Sequence, residues 1–219
     1  MTGNHGKIRP NSASLIAGPS MRGFGFALTN LSLAYFFGLF AYANARSFLE
    51  NPRLSVFLIV VTESIVALFL VIRRNPDETR HTWQTWITTT CGTLAPFLLR
   101  PSQATEDLLL GEMLQVVGFV VQIAALLYLN RSFGLLPAHR GVKSGGLYGL
   151  VRHPLYTAYL ITFAGFWINN QSLHNAAVVL IATVFMVMRV YYEEALLIKY
   201  AEYKRYASRI RWRLIPAVW

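Results

Sequence analysis

Residues 144–159 read SGGLYGLVRHPLYTAY, a polar and turn-rich run set between apolar ones. Gly145 and Gly146 permit a left-handed or closely approached backbone. Arg152 and His153 then place two cationic or hydrogen-bonding side chains directly before Pro154. That proline fixes φ and suits the first turn of a helix, which continues as LYTAYLITFAGFWI. A helix start of this kind presents free N–H groups and the positive end of the helix dipole, and so attracts an anion or a carboxylate.

A second polar spot follows at Arg189, Glu193 and Glu194, after the apolar run VLIATVFMVM. Arg189 and Glu193 are one turn apart on a helix and share a face. They form either an ion pair at the membrane boundary or two walls of a polar pocket, because a charge this deep in an apolar helix usually faces protein or a cavity. Glu63, inside LIVVTESIVALF, is the other intramembrane charge. It either lines a cavity or bonds to a neighbouring helix along with Thr62 and Ser64. His139 and His174 fall in loops without metal-ligand spacing relative to His153, and a metal site is not expected. Tyr191, Tyr192, Tyr200, Tyr203 and Tyr206 read as an interfacial aromatic belt. The sequence has no Gly-x-Gly-x-x-Gly after a strand, no Walker loop and no serine nucleophile elbow.

The elements that must hold these residues are membrane helices. Hydrophobic residues make up 54% of the 219 and charged residues only 14%, well below a soluble domain. Lys and Arg outnumber Asp and Glu by 20 to 10. In so apolar a chain that excess points to positive-inside loops and anionic lipid heads, not to nucleic acid. The single cysteine, Cys91, excludes an intrachain disulfide and a cysteine-rich zinc site.

Six apolar stretches are expected as helices: 24–45, 54–72, 83–99, 108–129, 155–168 and 175–192. The third and fifth are short for a bilayer crossing. With the first 22 residues read as a cytoplasmic tail and each stretch crossing once, the basic residues divide unevenly. Lys7, Arg9, Arg22, Arg73, Arg74, Arg80, Arg131, Arg140, Lys143 and Arg152 fall inside, as do Lys199, Lys204, Arg205, Arg209, Arg211 and Arg213. Only Arg46, Arg53 and Arg100 fall outside. That bias selects six crossings with both termini cytoplasmic, an arrangement suited to a bacterial inner membrane. The chain is thus expected to be an all-α, polytopic membrane protein of one domain. It comprises a tail (1–23), four scaffold helices (24–129) and a C-terminal catalytic region (130–219). The connection NNQSL makes stretches five and six a tight antiparallel hairpin that brings His153 and Glu193 to one side. After it, an amphipathic interfacial helix is expected, ended by Pro216.

SGGLYGLVRHPLYTAY, the Arg189-x-x-x-Glu193-Glu194 spacing and AEYKRYASRIRWRLIP, in that order, resemble the isoprenylcysteine carboxyl methyltransferase family. The resemblance covers about 130–216; the first four helices carry no matching motif. It implies an integral membrane enzyme using S-adenosylmethionine and releasing S-adenosylhomocysteine. By the same resemblance, Tyr148, Arg152, His153, Pro154, Leu155, Tyr156 and Glu193 belong to the cofactor site. Arg140, Gly141, Val142 and Lys143 correspond to backbone folded over the cofactor. Arg189, the catalytic candidate, and Glu194 go with the methyl-accepting substrate. RGVK stands where relatives carry a Leu-Val-Thr-like run, and AEY where eukaryotic members have Phe-Gly-x-Glu-Tyr.

Methyl transfer from a sulfonium requires an aligned nucleophile and exclusion of water, with no covalent enzyme intermediate. The acceptor stays open among a prenylcysteine-like carboxylate, a phospholipid amine, a thiol and a small hydrophobic acid. Two other readings compete. One is an NADPH-dependent membrane reductase of the sterol-reductase kind, which has a similar Arg-His-Pro loop. The other is a non-enzymatic transporter or scaffold, against which stands the lack of an internal repeat.

Overall fold

The computed structural model describes residues 19–101 and 108–219, so most of the expected N-terminal tail lies outside the described residues. The described chain is helical: α1 (Pro19–Glu50), α2 (Leu54–Ile72), α3 (Trp83–Leu94), α4 (Leu109–Leu129), α5 (Pro154–Asn169), α6 (Leu173–Leu197) and α7 (Ala201–Arg209). A 3-10 turn, Ala95–Leu98, prolongs α3 through the proline that ends it. The only departure from the all-α expectation, among the described residues, is a two-residue antiparallel ladder. It pairs β1 (Glu78–Thr79) with β2 (Ala138–His139), Glu78 opposite His139. Four helices are long and apolar enough to cross a membrane, within 25–50, 54–72, 109–132 and 173–197. α3 and α5 fall short of that length.

Local signals fix several helix starts. Thr82 accepts from the Thr85 N–H at 3.3 Å while Thr85 Oγ1 accepts from the Thr82 N–H at 3.1 Å, a capping box that opens α3. Ser172 caps α6 by accepting from the Asn175 N–H at 3.0 Å. Asn175, almost fully buried, also donates to the carbonyls of Arg100 at 2.8 Å and Asn170 at 2.7 Å. It thereby ties the segment after α3 to the α5–α6 turn.

Only Asn170–Ser172 separate α5 from α6, and the two helices share buried clusters, Phe163 with Ala182 and, farther from the turn, Tyr156 with Met186 and Val190. α5 lies along α4, α6 along α3, and α2 packs between α1 and α4. Close approach makes the α4–α5 pairing possible: a Cβ on Gly165 would sit 2.6 Å from the Gly111 carbonyl oxygen. A buried cluster of Phe37, Phe69, Leu126, Phe133, Tyr148 and Leu155 joins α1, α2 and α4 to the start of the C-terminal region. A cavity is left where α5 and α6 diverge.

α7 ends at Arg209, earlier than the expected stop at Pro216. The chain then folds back: the N–H groups of Arg213, Leu214 and Ile215 reach the Trp219 carbonyl at 2.9, 2.9 and 3.2 Å.

Candidate active site

The site is assembled at the end of the bundle where α2, α4 and α6 finish, from the α4–α5 loop, the start of α5, the end of α6, α7 and the tail. Within the glycine pair, Gly145 takes an ordinary extended conformation and Gly146 the left-handed one, with φ of 56°. A Cβ on Gly146 would lie 2.0 Å from the Tyr128 ring, so α4 presses directly on this loop.

The C-terminal tail packs against the start of α5. The N–H groups of Arg152 and His153 donate at 2.9 Å to the carbonyls of Trp212 and Arg213, and the Thr157 hydroxyl donates at 2.6 Å to Leu214. The N–H groups of Tyr156 and Thr157 return to the His153 carbonyl at 3.0 and 3.2 Å, and Pro154 has none to offer. The returning tail thus takes up the two backbone N–H groups that precede α5. Pro154 itself is fully buried at the first helical position.

Adjacent glutamates of α6 part company here. Glu194 is enclosed by Arg152 at 3.0 Å, His153 at 3.2 Å, the Tyr203 hydroxyl at 3.3 Å and Arg213 at 2.7 Å. Its carboxylate binds the α5 start, α7 and the tail into one unit. Glu193 faces a cavity of about 650 Å³ and accepts a hydrogen bond from the Tyr156 hydroxyl at 3.1 Å. Arg189 does not pair with Glu193: it donates to the Leu135 carbonyl at 2.7 Å and lies 5.4 Å above the Tyr156 ring, and its Nε has no hydrogen-bond partner among the described residues.

Arg140, Gly141, Val142, Lys143, Tyr148, Arg152, His153, Leu155, Tyr156, Arg189 and Glu193 all line this one cavity. Pro154 and Glu194 do not. Arg140 is buried, donates to the Arg74 carbonyl at 3.2 Å and is held down to about 10 by burial and by the charge of Arg73, with Glu193 opposing. Burial, and then the nearby Glu193 carboxylate, push the Tyr148 phenol well above its usual value. Arg140 and Glu193 thus bring groups of opposite charge to the same space, with the Tyr148 phenol held neutral beside them.

Further contributors to the cavity were not among the expected site residues. Tyr203 and Tyr206 are buried and line it, so they are not part of an interfacial belt; Tyr191, half-exposed, remains outside. Their i, i+3 spacing puts them on one face of α7, and the Tyr206 hydroxyl donates to the Tyr148 carbonyl at 2.7 Å. Helices α1 to α4 also supply wall, including Phe40, Glu63, Gln115, Phe119 and Gln122. Glu63 has no hydrogen-bond partner among the described residues, whereas Ser64 donates at 2.7 Å to Val60 on its own helix. His139 is held apart from the cavity between Asp77 at 2.8 Å and Glu202 at 2.7 Å, stacked 3.7 Å from Tyr200.

With this geometry in place, a comparison with protein families gives one match. Residues 107–203 match the phospholipid methyltransferase family. This is the family type that includes the isoprenylcysteine carboxyl methyltransferase-like membrane enzymes, so the resemblance drawn from the three motifs is supported. The matched stretch, a little under half of the chain, runs from just before α4 to the middle of α7. With the apolar helices, it points to an integral membrane protein with methyltransferase activity. A search of curated proteins found no match.

Proposed function

We propose that the protein is an S-adenosylmethionine-dependent methyltransferase whose acceptor is lipophilic or membrane-associated. The reading rests chiefly on one observation. Tyr148 of the Gly-x-Tyr element, His153, Leu155 and Tyr156 of His-Pro-x-Tyr, and Arg189 and Glu193 of Arg-x-x-x-Glu, apart in sequence, line one cavity in an apolar helical bundle.

The residues present fit this cofactor. Glu193 offers a carboxylate to hydroxyl or ammonium groups, and Arg152, whose buried Nε has no hydrogen-bond partner among the described residues, suits a carboxylate. In this reading Arg140 to Lys143, Tyr148, Arg152, His153, Leu155, Tyr156 and Glu193 hold the cofactor. Glu194 acts one step back, by fixing Arg152 and His153. When bound, the cofactor supplies an electrophilic methyl group. The chain's own part is to orient and to exclude water, and orientation supplies most of the effect in such a transfer. Arg189 directs an anionic acceptor group, of the prenylcysteine carboxylate kind, toward the Glu193 end. An acceptor that arrives ionised requires no general base.

The finer topology belongs to the same proposal. α3 with its 3-10 turn and α5 complete six crossings, and the basic loops and both termini share the cytoplasmic side. Detergent-purified protein titrated with S-adenosylhomocysteine, and in parallel with NADPH, tests the function. Binding of the first alone is expected. Binding of NADPH alone would replace the proposal with a reductase.

A further inference from the structure

We propose that Glu63 is an acceptor-recognition residue, whose carboxyl takes a hydrogen bond from an amine or hydroxyl donor on the lipophilic acceptor. This rests on the methyltransferase reading and adds to it a residue outside every motif and outside the family-matched stretch.

The face of α2 toward the cavity is Ser55, Val56, Ile59, Glu63 and Val66, and from Val56 onward this helical stripe is apolar except at Glu63. No side chain or backbone group among the described residues bonds to the carboxyl, and its Oε2 is buried. Placing an unpaired carboxyl in an apolar helix is costly, and such groups mark a ligand or an ion path. Contrast Glu112, at the start of α4, which accepts from the Ser55 N–H at 3.0 Å and so has a structural duty. Glu63 has none.

Depth gives the ligand its place. The ends of α2 and α6 lie on one side of the bundle: Lys199, just past α6, pairs with Glu78, in the segment that follows α2. Glu63 lies nine residues before the end of α2 at Ile72, ~14 Å along the axis, and Arg189 eight before the end of α6 at Leu197, ~12 Å. The two therefore look into the cavity from opposite walls at about one level. Tyr159 of α5 lines the cavity within electrostatic reach of both. Around that level the wall carries Phe37, Phe40, Ile59 and Phe97, and toward the α1–α2 turn it becomes polar, with Asn44, Ser47 and Ser55. A ligand bridging this level carries an acceptor group for Arg189, a donor for Glu63 and an apolar body. A carboxyl accepts a hydrogen bond whether or not it carries a proton, so the recognition does not hinge on titration.

The test is calorimetric titration of detergent-purified protein, saturated with S-adenosylhomocysteine, with three probes: dodecylamine, 1-dodecanol and 1-methoxydodecane. Wild type should bind at least one of the two donor-bearing probes roughly tenfold tighter than the ether, as one buried hydrogen bond implies. Glu63→Leu should erase the difference, and Glu63→Gln, which keeps a carbonyl acceptor, should retain most of it. S-adenosylhomocysteine affinity should be the same in all three proteins, which also reports that each is folded. Equal selectivity in wild type and Glu63→Leu, or no preference for a donor in wild type, would overturn the proposal. Failure of wild type to bind S-adenosylhomocysteine would instead strike the methyltransferase reading, while probe selectivity, measured without it, would still decide the role of Glu63.

Discussion

Glu193 and Glu194 are the same residue type, neighbours in sequence, at the same end of α6, and they do opposite things. Glu194 is saturated by two arginines, a histidine and a tyrosine, and holds three segments together. Glu193 has a tyrosine hydroxyl and an open cavity. Successive helical residues point about 100° apart, and that rotation alone separates a structural carboxylate from one available to a ligand. A buried charge with every partner in place does not advertise chemistry. One with a vacancy does.

Several experiments sharpen or break this contrast, the largest effect first. Removing Glu194 leaves Arg152, His153 and Arg213 facing one another in a partly dry space. Glu194→Ala should lose about 2–4 kcal/mol of stability in denaturant titration, the scale for breaking a buried pair from one side. A change under ~0.5 kcal/mol would mean that the cluster is ornamental. Arg213→Ala removes one of the four partners, the most exposed of the cations, and should cost about 1–2 kcal/mol. Arg189→Lys keeps the charge but loses the planar donor fork that reaches Leu135. It should raise KM for the acceptor about tenfold while leaving S-adenosylhomocysteine affinity within twofold. An equal loss in both would move Arg189 into the cofactor site.

The smallest effect belongs to the strap between Glu78 and the end of α6. Lys199 and the Tyr200 hydroxyl, at 2.8 and 2.9 Å, hold the Glu78 carboxyl below its usual range. A carboxyl lowered on folding adds stability above its unfolded value of 4.5, and that stability is lost as pH falls through the folded value. The melting temperature of wild type should exceed that of Glu78→Gln at pH 7 by a small margin that closes toward pH 3. A margin constant with pH would show that Glu78 acts by packing.

Hydropathy made the helices legible, and α2 matched the reading at both ends because charge or proline brackets it. The loop residues around Tyr148 and His153 were legible as chemistry because polar residues are rare in this chain. What stayed hidden depends on contacts between distant segments. The tail that covers the start of α5 joins residues about sixty apart, and no local pattern announces it. Tyr203 and Tyr206 passed for lipid-facing aromatics since an amphipathic helix reads the same against protein or membrane. The phase of Glu193 was within reach: Ala182, Met186, Arg189, Glu193 and Leu197 line the cavity at helical spacing, and Glu194 falls off that stripe. Glu63 sits in an equivalent stripe on α2, but nothing in sequence says which face of α2 meets the cavity.

The measurement that bears most directly on the central contrast is S-adenosylhomocysteine affinity, read with melting temperature, for Glu193→Gln and Glu194→Gln side by side. Glu193→Gln should weaken binding roughly 10- to 100-fold, the worth of one charged hydrogen bond, with its melting temperature unchanged. Glu194→Gln should melt several degrees lower, and its binding, measured well below that transition, should fall less. The reverse pattern, or equal binding losses in the two, would contradict the assignment of Glu193 to the ligand and Glu194 to the frame.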